Sequence, residues 1–163
     1  VGLIDEQPFS IHGAQAAGCN PISAAFRAGT DIIRPVPKPQ TIAKSLAIGT
    51  PADGYYAVHA IRSSGGSCED VSDEEIVAGI RLLSETEGIF AETAGGVTVA
   101  CAQKLIESGK LPKDESIVLC ITGHGLKTTD GVAPYLPPPR LINPSLREFD
   151  ACIAGDSVLA ATV

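Results

Sequence analysis

Three glycine-bearing loops are the segments of this 163-residue sequence whose residue types and spacing suit a ligand. They span residues 49–54 (GTPADG), 92–96 (ETAGG) and 122–127 (TGHGLK). The last two each follow a predicted strand, and ligands of open α/β sheets bind beyond the carboxyl ends of the strands. Backbone amides that open the helix predicted after residue 94 would also attract an anion. A glycine-rich turn is often only a turn, so that interpretation stays open for each loop.

Other familiar chemistry is missing from the sequence. It contains no phosphate-loop or dinucleotide fingerprint and no G-x-S-x-G nucleophile motif. The three histidines, His12, His59 and His124, have no metal-ligand spacing, so no metal site and no catalytic residue is predicted. His124 lies between two glycines, and both proximity to a ligand and a simple turn role are open for it.

Composition excludes several classes of function. The net charge is −7 with no basic cluster, which argues against nucleic-acid binding. No apolar run is long enough to span a membrane. The length predicts a single domain over residues 1–163, of which residues 131–163 form a proline-rich tail.

The cysteine pattern indicates a reducing compartment. The count is odd and no pair has C-x2-C spacing, so we expect reduced core thiols and a cytoplasmic location, or a plastid in a plant or alga. Every cysteine except Cys68 lies in an apolar stretch. The five are Cys19, Cys68, Cys101, Cys120 and Cys152.

Predicted strands and helices alternate along the chain. The fold class is therefore α/β, with a mostly parallel sheet and helices on both faces. Ser72 and Glu75 form a capping box, and Gly88 ends the helix that follows. Strands are predicted at 9–16, 68–71, 89–91 and 116–122, and helices at 21–29, 41–46, 55–63, 73–87 and 95–108, with an irregular segment at 134–144 and a strand or helix from 146.

Four segments in order resemble one enzyme family. They read QAAGCNPI (15–22), TIAKSLAIGTPA (41–52), VSDEEI with EGIFAETAGG (71–76 and 87–96), and ITGHGLK (121–127). Together they resemble threonine synthase, a fold-type-II pyridoxal phosphate (PLP) enzyme, over roughly residues 11–127. Thr50, Thr93 and His124 depart from the residues usual in that family, which are Asn, Pro and Asn.

The resemblance implies a PLP-dependent lyase of threonine biosynthesis that converts O-phosphohomoserine and water to threonine and phosphate. The chain would be the C-terminal portion of the fold-type-II PLP domain. Its lack of methionine fits either removal of the initiator or a fragment, and the resemblance favours the fragment. The family's Schiff-base lysine motif and its glycine-rich phosphate loop have no counterpart here, so we expect no activity from this chain alone. The implied partners are the small-molecule substrate, the rest of the enzyme chain and a second copy in a homodimer.

The resemblance also assigns cofactor contacts. Thr122 would bond the pyridine nitrogen of PLP, and Gly123 and Gly125 would let the backbone pass close to the ring. Glu92 and Ala94 would line the cleft. For Thr122 the alternative is a hydroxyl that satisfies a local backbone group, and for Glu92 a charge at a helix N-terminus.

Two other functions stay open on the sequence. One is a threonine-synthase-like paralogue of the cysteate synthase or threonine dehydratase type. The other is a non-catalytic PLP-fold module that binds a partner chain. Lys127 follows the TGHG segment, and its predicted role is structural, near the end of that loop.

Overall fold

Two short parallel strands form the sheet that organises the described part of the chain. The structure is a computed structural model that describes residues 8–138 and 140–160. Strand β1 (Gly13–Ala16) pairs with β2 (Cys68–Val71), with Gly13 opposite Cys68. The strand predicted at 68–71 is confirmed. β1 begins later than residue 9 because β2 offers no partner beyond Cys68.

Helix α1 (Pro21–Arg27) packs on both strands of this sheet, and α2 (Gly54–Ser63) packs on α1. Gln15 of β1 holds the start of α1, because its Oε1 accepts hydrogen bonds from the amides of Ile22 and Ser23, both at 2.9 Å. These are amides that a helix cannot satisfy by itself. The Asn20-Pro21 start predicted for α1 is confirmed, with proline at the opening of the helix.

Asp70 of β2 joins the same helix to the sheet through three donors. Its Oδ2 accepts hydrogen bonds from Ser23 Oγ at 2.5 Å, Asn20 Nδ2 at 2.7 Å and an Arg27 guanidinium nitrogen at 2.5 Å. Burial alone would raise the pKa of Asp70, but these hydrogen bonds outweigh it and the pKa is lowered. One oxygen of this carboxylate therefore gathers three donors of the α1 region in the folded chain.

Helices α3 (Asp73–Glu87) and α4 (Thr93–Glu107) lie on the other side of the sheet. The capping box that begins α3 is confirmed, since Ser72 Oγ accepts from the Glu75 amide while Glu75 accepts from the Ser72 amide. Gly88 ends the helix in the left-handed region at φ 68°. Glycine adopts that conformation without the steric cost that a side chain would add.

α3 and α4 approach closely because glycine lies at their contact. A Cβ on Gly96 would be 2.5 Å from the carbonyl oxygen of Ile76 and 2.6 Å from a side-chain carbon of Ile80. This contact closes the main core, so the expected α/β fold with a parallel sheet and helices on both faces is confirmed. The core contains Ala16, Ala43, Val71, Ile76, Val77, Ile80, Val97, Ala100, Cys101 and Val132.

The buried strand predicted at 116–122 is wrong for this structure. No strand is assigned there, and Val118 is 87% exposed, while Ile117 and Leu119 are more than a third exposed. The predicted strand at 89–91 is reduced to one antiparallel bridge between Ala91 and His124. A run of apolar residues becomes a buried strand only where neighbours cover its faces and edges. Here Ile121 packs against Leu83, Ala91 and Val99, whereas residues 117–120 are exposed.

The C-terminal region adds two helices, α5 (Thr129–Val132) and α6 (Leu146–Ala160). The segment predicted as irregular at 134–144 contains no α-helix in its described residues. No helix in the described ranges is long and apolar enough to cross a membrane. The predicted domain 1–163 includes residues 1–7, 139 and 161–163, which lie outside those ranges, so it stays a prediction.

All five cysteines are free thiols. Cys68 and Cys101 are buried, and burial raises the pKa of each to about 12. The prediction of core thiols holds for these two and for Cys19. It is wrong for Cys120, which is exposed because its predicted strand is not formed. Cys68 is buried although it does not lie in an apolar stretch of the sequence.

Candidate functional site

Two of the three glycine-bearing loops come together in space. The Glu92 amide donates to the Gly123 carbonyl oxygen at 2.9 Å, and the Gly125 amide donates to the Phe90 carbonyl oxygen at 2.8 Å. The 122–125 loop is thereby held along the segment that leads into α4. The start of α4 and the 122–125 loop form the candidate site.

The loop at 49–54 contacts a different segment. The Gly49 carbonyl oxygen accepts from the Val36 amide at 2.9 Å, and a Cβ on Gly49 would overlap the Val36 carbonyl oxygen. The glycine is needed for that close approach. This loop therefore packs on the extended proline-rich segment and takes the simple turn role left open for it.

Glu92 lies beneath the 122–125 loop. It is 6% exposed, and its Oε2 forms an ion pair with Lys127 Nζ at 3.1 Å. Gly123 lies directly against the carboxylate, because a Cβ there would overlap it. Glu92 is also the residue that caps α4, although its side chain makes no hydrogen bond to the helix amides.

Thr122 presents an exposed side chain at the start of the same loop. Within residues 8–138 and 140–160, its hydroxyl has no hydrogen-bond partner, so the local backbone bond considered as its alternative role is not formed there. An exposed hydroxyl without an internal partner can exchange its hydrogen bonds to water for one to an incoming group, with no bond inside the protein to break. Thr122 is thus the polar side chain of this loop that is ready for a ligand.

His124 takes the turn role. Its Nδ1 accepts from the Leu126 amide at 3.2 Å, and its ring meets that of Phe90 edge to face, 5.9 Å between centroids. Gly125 is buried against the same phenyl ring, where a Cβ would come within 2.5 Å. This aromatic contact is a second point, besides Glu92, at which the loop is held.

Thr93 is a feature that the sequence prediction missed. It is fully buried, and its Oγ1 is the one buried side-chain polar atom without a hydrogen-bond partner in the described ranges. Its amide donates to Thr128 Oγ1 at 3.3 Å. The next two amides of α4, on Ala94 and Gly95, have no partner there. The sequence did carry one signal for Thr93, because the family that the chain resembles usually has proline at this position.

A comparison with protein families decides what the two joined loops belong to. Residues 2–123 match the family described as "Pyridoxal-phosphate dependent enzyme". That range contains the start of α4 and reaches into the 122–125 loop. The chain belongs to this PLP-dependent enzyme family.

Curated relatives of this PLP-family chain carry the name threonine synthase. The protein of Methanocaldococcus jannaschii is 47% identical over 129 residues, which cover 79% of this chain and 32% of the relative. The protein of Methanosarcina acetivorans is 36% identical over 155 residues, which cover 95% and 38%. The chain thus spans about a third of the length of these relatives.

Solved structures of the same fold confirm the architecture. Maize serine racemase matches with a TM-score of 0.58 at 19% identity, covering 78% of this chain and 40% of that one. An L-serine ammonia-lyase from Rhizomucor miehei matches with a TM-score of 0.60 at 20% identity, covering 78% and 41%. At these identities the likeness shows the fold alone.

The lysines of this PLP-family chain do not suit covalent attachment of the cofactor, which needs a buried amine with a lowered pKa. Lys104 is bound to Glu75, and that hydrogen bond raises its pKa. Lys127 is paired with Glu92. The remaining lysines are exposed: Lys38, Lys44, Lys110 and Lys113.

The other residues of the site fit PLP in part. The unpartnered hydroxyl of Thr122 suits the ring nitrogen, and the glycines on either side of His124 keep side chains away from that edge. Among the described residues no group of three or more His, Cys, Asp or Glu side chains could hold a metal ion. These residues could line one side of a PLP site, and none of the lysines is buried in the described residues.

Proposed function

We propose that this chain is the C-terminal part of a threonine synthase, which converts O-phosphohomoserine and water to threonine and phosphate. The threonine synthases that are 36% and 47% identical to this chain support this reaction over others of the family. We place the enzyme in the cytoplasm, in keeping with the free thiols.

The observation that carries the proposal is the exposed, unpartnered hydroxyl of Thr122 on a loop fixed at both glycines. PLP, when bound, supplies an electron sink for carbanions. In our proposal the Thr122 hydroxyl donates a hydrogen bond to the ring nitrogen. A neutral hydroxyl does not hold a proton on that nitrogen as a carboxylate would, which limits the sink and favours one reaction course.

The remaining site residues shape the space around that contact. Gly123 and Gly125 keep the loop narrow, because a side chain on either would overlap Glu92 or Phe90. Ala94 is small and partly exposed at the start of α4. Glu92 packs against the loop, and its carboxylate forms an ion pair with Lys127.

In this proposal the attachment lysine lies in the part of the enzyme that corresponds to the region of the relatives not covered by this chain. The test is to incubate the 163-residue chain with PLP, reduce with borohydride and measure its mass. We expect no stoichiometric adduct on any of the six lysines. A stoichiometric adduct on one of them would contradict the proposal that the chain is inactive alone.

The reaction is tested on the PLP-loaded enzyme that contains this chain. We expect release of phosphate and threonine from O-phosphohomoserine. Release of ammonia from serine or threonine without this activity would instead assign the dehydratase-type paralogue.

The cofactor contact is tested with Thr122→Val in the same enzyme, since valine keeps the shape and removes the hydroxyl. We expect PLP affinity to fall about three- to tenfold, the value of one neutral hydrogen bond. Thr86→Val, at an exposed position of α3, is the matched control and should leave affinity unchanged.

A further inference from the structure

We infer that Lys127 is a positioning residue, and that its ion pair with Glu92 sets the position of the 122–125 loop that presents Thr122. This inference rests on the proposed function, because it concerns how the cofactor contact is held. It adds a residue and a physical cause that the cofactor contacts themselves do not include.

The first step is the geometry around the Glu92 carboxylate. Gly123 lies directly over it, and the Glu92 amide donates to the Gly123 carbonyl oxygen at 2.9 Å. Thr122 precedes Gly123 in the chain, so any movement of the carboxylate is passed to the loop within one residue. The Glu92 carboxylate thus supports the 122–125 loop through its contact with Gly123.

The second step is the charge. Glu92 is 6% exposed, and in the parts of the chain that the structure describes Lys127 Nζ is the one group paired with its carboxylate. A buried carboxylate that loses its partner lowers its free energy by turning toward water. Because Gly123 covers it, Glu92 reaches water only if the loop moves.

The third step separates charge from packing. The Lys127 side chain is 64% exposed, so its hydrocarbon stem contributes little buried area. If it acts by packing, methionine at 127 should replace it. If it acts by charge, only arginine should.

The first experiment measures amide hydrogen exchange in the enzyme that contains this chain, which reports local opening. We expect Lys127→Met to speed exchange of the Glu92 and Gly125 amides about tenfold, because a buried charge loses its partner. Lys127→Arg should stay within about threefold of the parent. Exchange in β1 and β2 should not change, and the exposed Lys113→Ala is the matched control.

A double-mutant cycle tests the mechanism. Glu92→Gln removes the charge that needs a partner, so adding Lys127→Met to it should speed loop exchange no further. Equal effects of Lys127→Met with and without Glu92→Gln would overturn the inference. So would faster exchange that is equally large in β1 and β2, since that indicates a general loss of stability.

The second experiment uses the absorbance maximum of PLP bound to the enzyme that contains this chain. We expect Thr122→Val and Lys127→Met to shift it in the same direction and Lys127→Arg to leave it in place. A shift with Thr122→Val but none with Lys127→Met overturns the positioning role and keeps the proposed function. No shift with Thr122→Val instead removes the cofactor contact itself, whatever the exchange rates show.

Discussion

Asp70 and Glu92 are two of the carboxylates that pair with cations in this chain, and the difference between them separates scaffold from site. Asp70 accepts three hydrogen bonds, and all three donors come from α1 or the residue before it. Glu92 has one charged partner, Lys127, and a glycine loop over it. The first arrangement is complete without a ligand, whereas the second supports a loop whose exposed hydroxyl is still unpaired.

Two fully buried hydroxyls repeat the contrast. Ser23 is 0% exposed and donates to Asp70 at 2.5 Å. Thr93 is also 0% exposed and has no partner for its Oγ1 within the described ranges. Buried polar groups are nearly always hydrogen-bonded, so an unpaired one marks a place where stability was not the only requirement.

Removing the Asp70 carboxylate should have the largest effect on stability. Asp70→Ala leaves Ser23, Asn20 and Arg27 without their shared acceptor. We expect the free energy of unfolding to fall by about 3 kcal/mol, because the buried Ser23 hydroxyl and the half-buried Asn20 amide lose their acceptor and the ion pair to Arg27 is broken. Denaturant unfolding of the chain measures this.

The matched control is Asp31→Ala, because Asp31 also pairs with an arginine but is about half exposed. Its loss should be below about 1 kcal/mol, as for other surface ion pairs. Similar losses for the two variants would show that the Asp70 network does not differ from a surface pair.

Acid should also weaken the hydrogen bonds that Asp70 accepts. The pKa of Asp70 is lowered from 3.8 in the folded chain, so its stabilisation is present above 3.8 and is lost as the pH falls through the folded value. We expect the free energy of unfolding to decline below pH 3.8, and to decline less steeply in Asp70→Asn. Equal slopes would mean that Glu74, Glu75 and Glu148, whose pKa values are also lowered, carry the acid dependence.

Replacing the unpaired hydroxyl should stabilise the chain. Thr93→Val keeps the shape and removes Oγ1, so we expect a gain of about 1 kcal/mol in the free energy of unfolding. Ser23→Ala, which removes a paired hydroxyl, should instead lose about that amount. A loss in Thr93→Val would mean that its hydroxyl has a partner in solution.

The smallest change in stability is expected at Thr122. Because its side chain is exposed and unpaired within the described residues, Thr122→Val should alter the free energy of unfolding by less than about 0.5 kcal/mol. A clear drop in melting temperature with unchanged PLP affinity would return Thr122 to the role of a local backbone partner.

The sequence predicted those features that depend on neighbouring residues. The capping box at Ser72 and Glu75, the glycine stop at Gly88 and the proline start of α1 all have local causes, and the structure confirms them. β2 was predicted at its observed bounds.

The parallel sheet was expected from the alternation of elements, but other features that depend on distant residues were not predicted. The pair between Glu92 and Lys127 joins positions 35 residues apart, and only the folded loop brings them together. The strand expected at 116–122 failed for the same reason, since burial depends on what lies beside a segment. The assignment of Thr122 to the ring nitrogen is not tested by the structure and stays a prediction.

The uncovered run at Ile117, Val118 and Leu119 has a practical consequence for anyone who purifies this chain. Short, uncharged, β-prone segments with open edges pair with their own copies and seed aggregation. Cys120 directly follows the run with an exposed thiol, so two copies aligned along this segment could be locked together by air oxidation. Low concentration and a reducing buffer therefore decide whether the chain is studied as a monomer or as a precipitate.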